Sequence, residues 1–383
     1  MANYRGGRAF RAGLQPTAPR ARSGAMTDAV PLTDDWIREA AERFAAFAAP
    51  LSAPPLIASH DDADGLSSAA LLARAWPGPR PRVRLVGRGR NAWDDAFASE
   101  MAGRTDPLVI ADLGVAAGRP APRAPLAVID HHVPTGAPPD AVVVSGYGLD
   151  PTPSTSVLTW WCAAGLADVS HLDWLAAIGL VGDYGDKAAF PLIAAAKKRH
   201  GAGKLREAVS LVNASRRSAS GDARPALDLL LKAESPRDVV DGGHPETALC
   251  QEAREEVKAA LAQGRRQPPR FGSRYGGALA MIRLDSACQI HPLVAQSWTG
   301  RLRRGDGITV LAANFGFRPG EVSFSGRAAG EADIIELLAR HRPEGADPTR
   351  YGNGHRRAAG GALSYDAWNA FVQDLGFGDE MRA

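Results

Sequence analysis

The sequence predicts an α/β protein: an N-terminal doubly wound, mostly parallel sheet, a helical connector and a smaller C-terminal α/β domain. Three observations carry this expectation. First, the short apolar runs "PLIAS", "RVRLVG", "PLVIAD", "PLAVID" and "AVVVSG" lie between Pro55 and Gly146. Their hydrophobicity is continuous rather than alternating, which means burial on both faces, the signature of a parallel sheet. Second, residues 191–270 carry helical periodicity and mixed charge with no strand signal. Third, strand-like runs return after residue 271.

The chain opens with "MANYRGGRAFRAGLQPTAPRARSGA", which holds Arg5, Arg8, Arg11, Arg20 and Arg22 and no acid before Asp28. It lacks the apolar centre of a secretory signal, so residues 1–27 are read as a disordered basic extension. The first folded domain is placed at 28–190. It starts with a helix in "PLTDDWIREAAERFAAFAA", where Thr33 is the expected N-cap and Trp36, Ala40, Phe44 and Phe47 form the apolar face. The five apolar strands follow, then helices from about Ser154 to Ala164 and from Leu172 to Leu180. The connector, 191–270, includes "ETALCQEAREEVKAALAQGRRQ", and "GRRQPPRFGSRYGG" marks a boundary. The second domain, 271–383, holds strands in "GALAMIRLD", "GITVLAANF" and "GEVSFSGRA" and helices in "ADIIELLARHR" and "AWNAFVQDLG".

Composition narrows the function classes. The chain has 383 residues, 45% hydrophobic and 23% charged, as in an ordinary globular protein. No run approaches the ~18 consecutive apolar residues of a membrane helix, so no membrane partner is expected. A net charge of +3 permits a polyanionic partner without demanding one. Cys162, Cys250 and Cys288 form no CxxC pair. That argues against a disulfide framework or a zinc–thiolate site and fits a reducing cytoplasm.

The chemistry sits where the strands end. "LIASHDDADG" finishes in His60, Asp62 and Asp64, "LVIADLG" in Asp112, and "LAVIDHH" in Asp130, His131 and His132. In open parallel sheets these carboxyl ends line the ligand crevice, so groups distant in sequence converge there. Packed carboxylates repel one another and need a cation to neutralise them. Asp and His without Cys suit Mn²⁺, Mg²⁺ or Zn²⁺, and so many charges imply more than one ion. A lone Asp after a strand is ordinarily a cap or turn former. Asp61 is read that way or as exposed, and Asp94 and Asp95 as solvated loop acids. "AIGLVGDYGD" adds Asp183, with Asp186 as the alternative.

Taken in order, "SHDDADGLSSAALL", "VIADLG", "VIDHH" and "GLVGDYGD" resemble the four motifs of the DHH family of phosphoesterases, in its RecJ-like exonuclease branch. "YGNGHRRAAGGAL" and "VSFSGRA" are similar to signatures of the DHH-associated substrate-binding domain, with Asn353 standing where a glycine is expected. The resemblance spans roughly residues 50–365. It implies that Asp62, Asp64, Asp112, His131 and Asp183 ligate two divalent ions, Mn²⁺ with Mg²⁺ as the alternative, and that Asp112 bridges them. His60 matches a histidine heading the first motif and is grouped with the ligands. Asp130 would orient a ligand, and His132 would contact the scissile phosphate or protonate the leaving oxygen. Arg327, Gly352, Gly354 and His355 would bind substrate.

The implied activity is metal-dependent phosphodiester hydrolysis by an exonuclease on single-stranded DNA or oligonucleotides. A nanoRNase or cyclic-dinucleotide phosphodiesterase is the alternative, and a non-catalytic nucleic-acid-binding scaffold the rival from another class. Single strands usually need a basic track and stacking platforms. Arg216, Arg217, Arg265, Arg266, Arg270 and Arg274 are candidates for the first. Phe271 is a candidate for the second, as are Trp160 and Trp161, which also read as core.

Overall fold

The computed structural model describes residues 29–185, 190–302, 307–347 and 350–383, with Asn353 described in its backbone only. The expected basic extension at 1–27, Asp186 and the side chain of Asn353 lie outside the described residues. Strand β1 (Val30–Pro31) leads into α1 (Asp34–Ala48). Thr33 caps that helix, its hydroxyl oxygen accepting from the Trp36 amide at 3.2 Å. Next come β2 (Leu56–His60), α2 (Ala63–Ala75), β3 (Arg82–Val86), α3 (Asp95–Met101), β4 (Leu108–Ala111), β5 (Leu126–Asp130) and β6 (Ala141–Ser145).

The five apolar runs form one sheet in the order β3-β2-β4-β5-β6, parallel throughout. Strands β4 and β5 are buried along their whole length, as their unbroken hydrophobicity requires. At the edge, β3 keeps Arg82 and Arg84 exposed, which suits a strand covered on one side only. The chain runs from β2 out to β3 and then returns past β2 to β4. Helices therefore cover opposite faces, and a crevice opens where β2 and β4 diverge at their carboxyl ends.

Strand β7 (Leu149–Asp150) pairs with β1, and α4 (Thr155–Ala164) and α5 (Asp173–Tyr184) follow. Trp160 and Trp161 pack against the core, Trp160 donating its indole N–H to the Val169 carbonyl at 3.0 Å. They are core residues rather than stacking platforms.

The next stretch is helical: α6 (Pro191–His200), α7 (Ala202–Arg217), α8 (Arg224–Lys232), α9 (Pro236–Asp241) and α10 (Pro245–Gly264). These helices are not a free-standing spacer. Leu192, Leu205, Leu227 and Val239 join the same apolar core as Ile57, Leu66 and Trp174. Helix α10 links the halves of the molecule, since Cys250 is buried in this core while Val257 is buried with the C-terminal strands.

The C-terminal part holds β8 (Arg270–Phe271), β9 (Leu279–Leu284), α11 (His291–Leu302), β10 (Gly307–Asn314), β11 (Glu321–Gly330), α12 (Ile334–Arg340), β12 (Tyr351–His355), β13 (Ala358–Ser364) and α13 (Tyr365–Asp374). Its mixed sheet runs β12-β13-β11-β10-β9-β8, with only β9 and β10 parallel. The sequence reads as a glycine-rich turn where β12 and β13 lie, because glycines leave no hydrophobic alternation to mark a strand.

A candidate metal centre at the carboxyl ends of the sheet

Local geometry delivers each acid. Asp62 is the N-cap of α2, its carboxylate accepting from the Asp64 and Gly65 amides at 3.1 and 3.2 Å. The helix starts so close to the end of β2 that a Cβ on Gly65 would lie 2.3 Å from the His60 carbonyl oxygen. Asp64, the second residue of α2, points across to the start of α4. The Thr155 and Ser156 amides donate to its two oxygens at 2.7 and 2.9 Å, the dipole end at which a helix favours an anion. Gly179 on α5 leaves the room, since a Cβ there would meet Asp64 Oδ1 at 2.4 Å.

Asp112 leaves β4 with φ of +61°. That left-handed conformation costs a non-glycine residue about 1–2 kcal/mol and aims the carboxylate into the crevice. Thr155 Oγ1 donates to Asp112 Oδ1 at 3.0 Å. Asp130 is fully buried and accepts from the Gly114 amide at 2.7 Å and from the His132 amide at 2.7 Å. Its Oδ1 also lies 3.2 Å from His132 Nδ1. From the end of α5, Asp183 Oδ2 approaches His131 Nε2 at 3.2 Å, and Tyr184 Oη shares a hydrogen bond with His131 Nδ1 at 2.8 Å.

Three groups of potential ligand atoms result, each within 4.8 Å: His60/Asp62/Asp112, Asp64/His131/Asp183 and Asp112/His131/His132. Of the residues singled out from the strand ends, all but Asp130 fall in these groups, Asp130 being bonded to His132, and Asp112 belongs to two of them. His131 Nε2 is buried and has no hydrogen-bond partner. A buried imidazole nitrogen without a hydrogen bond, between Asp183 and Asp112, fits a divalent cation, and the carboxylate-and-imidazole donor set suits Mn²⁺, Mg²⁺ or Zn²⁺.

The electrostatics agree. Burial, and then the neighbouring Asp64 and Asp62 charges, push Asp112 well above the carboxylate range. Burial and the Asp183 charge raise Asp64 to about 6. Burial opposes charge on His60, but Asp62 and Asp112 more than offset it and raise its pKa well above the usual value. Burial likewise disfavours charged Asp62, yet His60 and Arg216 hold it well below the usual value. Several carboxylates compete for too little positive charge, the condition a bound cation relieves.

Four readings of surrounding residues change. Asp61 is buried, 7% exposed, with Arg216 Nη1 3.9 Å from its Oδ1. It is neither a cap nor exposed, because β2 ends inside the crevice. Asp94 is no solvated loop acid but the N-cap of α3, accepting from the Phe97 amide at 2.7 Å and paired with Arg90 at 2.9 Å. Asp95 is exposed, but as the first residue of that helix rather than in a loop. Arg216 also lies 3.8 Å from Asp62, so it serves the acid cluster rather than an outer track. Arg265, Arg266, Arg270 and Arg274 are exposed, as is Phe271 at 50%.

A second polar cavity of about 300 Å³ lies between the loop after β3 and the C-terminal sheet, lined by Arg90, Gln289, His291, Arg318, Ser325 and Arg350 among others. His291 is 6% exposed and its Nδ1 lacks a partner. Burial, then the Arg318, Arg327 and Arg217 charges, push its pKa down to about 3. Arg327 donates to Ser325 Oγ at 3.0 Å beside this cavity. Gly352 and Gly354 take φ of +77° and +139° in β12, and His355 is exposed at its end. Among the described residues, those three join neither the carboxylate groups nor this cavity lining.

Sequence reasoning missed Thr155, Ser156, Tyr184 and His291. The first two carry a recoverable signal, since "PSTS" before an apolar helix is a capping sequence whose amides favour an anion. Tyr184 and His291 carry none, because their roles depend on which side chains meet in space.

No protein-family model matches the sequence, and no curated protein does. Among solved structures, RecJ in complex with Mn²⁺ from Thermus thermophilus superposes with a TM-score of 0.63 at 18% identity, covering 90% of this chain and 55% of that one. The chain therefore spans about half the length of that protein. Exonuclease RecJ bound to manganese gives 0.60 at 19% identity, covering 92% and 95%. The PF0399 DHH domain gives 0.58 at 16%, covering 91% of each. The fold is that of RecJ and other DHH-domain proteins.

Proposed function

We propose that this chain is a DHH-family phosphoesterase: a metal-dependent phosphodiester hydrolase acting as an exonuclease on single-stranded DNA or oligonucleotides. The observation that carries this reading is Asp112, held at positive φ and shared between two groups of ligand atoms. A carboxylate so placed would be shared by two ions. His60 and Asp62 would hold one with it, and His131, which belongs to a group with Asp112 and to the group with Asp64 and Asp183, would join it to those two acids around the other. Two divalent cations, when bound, supply Lewis acidity that generates a nucleophile near neutral pH and offsets charge building on the phosphoryl group.

The chain's own residues do the rest. Asp130 fixes the Nδ1 side of His132, leaving the other ring nitrogen to protonate the leaving oxygen. Residues 28–190 serve as the catalytic domain and 271–383 as the binding domain, joined by the helices between. In the cavity at His291, Arg318 and Arg350 both guanidiniums are paired with Glu321, at 3.1 and 2.7 Å, so the group left for a polar atom of the substrate is the unpartnered imidazole nitrogen of His291. Arg327 beside it would bind substrate there, and Gly352, Gly354 and His355 in β12 would do so from outside this lining, as the family resemblance implies.

A larger cleft supports the oligonucleotide reading over the dinucleotide one. About 660 Å³ of space lies beside Gly182 and Gly185, which flank Asp183, and continues past Arg206, Arg217, Arg254 and Lys258. Its lining also includes Glu255 and the apolar Val209, Val257, Leu261 and Leu293, and its cations would favour a substrate whose phosphates extend beyond the metal centre. A cytoplasmic setting belongs to this reading, supported by three buried free thiols. No helix among the described residues is long and apolar enough to cross a membrane.

The test is a substrate panel: end-labelled single-stranded DNA and RNA, linear dinucleotides and cyclic dinucleotides, each with Mn²⁺ or with EDTA. Stepwise, Mn²⁺-dependent shortening of single strands by wild type, lost in Asp112→Ala and His132→Ala, is the expected result. Preference for dinucleotides would move the assignment to a nanoRNase-type activity. Equal behaviour of wild type and both variants would remove the enzymatic reading.

A further inference from the structure

Three histidines face the crevice, and the partners of their Nδ1 atoms differ. His60 Nδ1 lies 3.0 Å from the Asp62 carboxylate, and His132 Nδ1 lies 3.2 Å from Asp130. His131 Nδ1 instead meets the phenol of Tyr184 at 2.8 Å, the two rings set edge to face at 83°. Tyr184 is the last residue of α5, next to Asp183, and remains 42% exposed. Two consecutive residues of one helix end therefore address both nitrogens of one imidazole.

We propose that Tyr184 is the positioning residue of His131: its hydroxyl oxygen accepts the Nδ1–H, so that the Nε2 lone pair is presented to the metal. This rests on the metal-centre reading above. The physical case has three parts. A histidine that ligates through Nε2 must carry its proton on Nδ1, and the acceptor there fixes both tautomer and ring orientation. His131 Nε2 is the atom found buried without a hydrogen-bond partner, so the tautomer matters at that nitrogen. The usual acceptor is a carboxylate or backbone carbonyl. At His131 a carboxylate would add negative charge beside Asp64, Asp112 and Asp183, whereas a neutral phenol orients the ring without it.

The hydroxyl of Tyr184 is engaged with His131 Nδ1, so its influence runs through that ring. Tyr184→Phe deletes one oxygen from a ring already open to solvent and leaves α5 its length and cap. The full-length protein and this variant are compared by calorimetric titration with Mn²⁺ alone, with no substrate present. The affinity of the variant is expected to fall about 10–100-fold, the usual consequence of removing the partner that orients a metal ligand. In Mg²⁺-loaded wild type, ¹⁵N spectra of the histidine rings are expected to show His131 as a single Nδ1–H tautomer.

Unchanged Mn²⁺ affinity in Tyr184→Phe overturns the assignment while leaving the hydrolase reading intact. Failure of wild type to bind Mn²⁺ overturns both. Should the variant melt early in EDTA, the wild-type spectrum decides alone: a proton on Nε2, or a tautomer mixture, overturns the role of Tyr184.

Discussion

The Thr155 hydroxyl donates to Asp112 at 3.0 Å while the Thr155 amide donates to Asp64 at 2.7 Å. One residue at the start of α4 therefore locks two acids that arrive from different strands. Thr155→Val keeps the shape and the amide and removes only the hydroxyl. Steady-state kinetics are expected to show kcat/KM reduced about 10–100-fold. Urea unfolding is expected to show a loss of about 1–3 kcal/mol from the unsatisfied buried acceptor.

Asp112 combines positive φ with burial among other acids. Asparagine tolerates the left-handed region and carries no charge. Asp112→Asn is therefore expected to raise the melting midpoint in EDTA at pH 7 while abolishing hydrolysis. The sign follows from the raised pKa: ionising Asp112 in the folded state costs stability as pH rises past the ordinary carboxylate range. The gain shrinks towards low pH, where wild type is protonated too. Scanning calorimetry across pH checks both parts.

Cation binding to the folded state alone stabilises it by mass action, about 2.7 kcal/mol at a hundredfold excess over Kd. Mn²⁺ is expected to raise the melting midpoint of wild type in thermal shift, with no rise for Asp112→Asn. Removing the ion with EDTA should reverse the shift without precipitating the protein, because the apolar core under β4 and β5 forms without it.

His291 gives a pH dependence away from the acids. Burial, then three arginines, hold its folded pKa at about 3 against an ordinary 6.5. Between those values the unfolded chain takes up a proton that the folded protein does not. Its contribution is thus complete above pH 6.5 and is lost as pH falls towards 3, at up to about 1.4 kcal/mol per pH unit. His291→Gln is expected to flatten stability against pH between 4 and 6.5, and equal slopes in wild type and variant would contradict the assignment.

Much of this architecture is written locally. The unbroken apolar runs of β4 and β5 report burial on both faces, and acids at their ends report a crevice. Thr33 and the hydrophobic face of Phe44 place α1. What the sequence hides is relational. Asp61 and Asp62 look alike on paper and both lie near Arg216, but only Asp62 caps α2 and joins a group of ligand atoms. Helices α6–α9 read as a spacer because amphipathic periodicity does not say which core receives the apolar face. Strands β12 and β13 hide behind glycines, and Tyr184 and His291 acquire meaning only through partners distant in the chain.

The central claim is that these strand-end acids share one pair of divalent ions. Crystals soaked in Mn²⁺ and measured at the manganese absorption edge test it directly. Two anomalous peaks are expected, both within bonding distance of Asp112, one also reaching Asp62 and the other His131 and Asp183. Manganese bound elsewhere, or no peak touching Asp112, would contradict it.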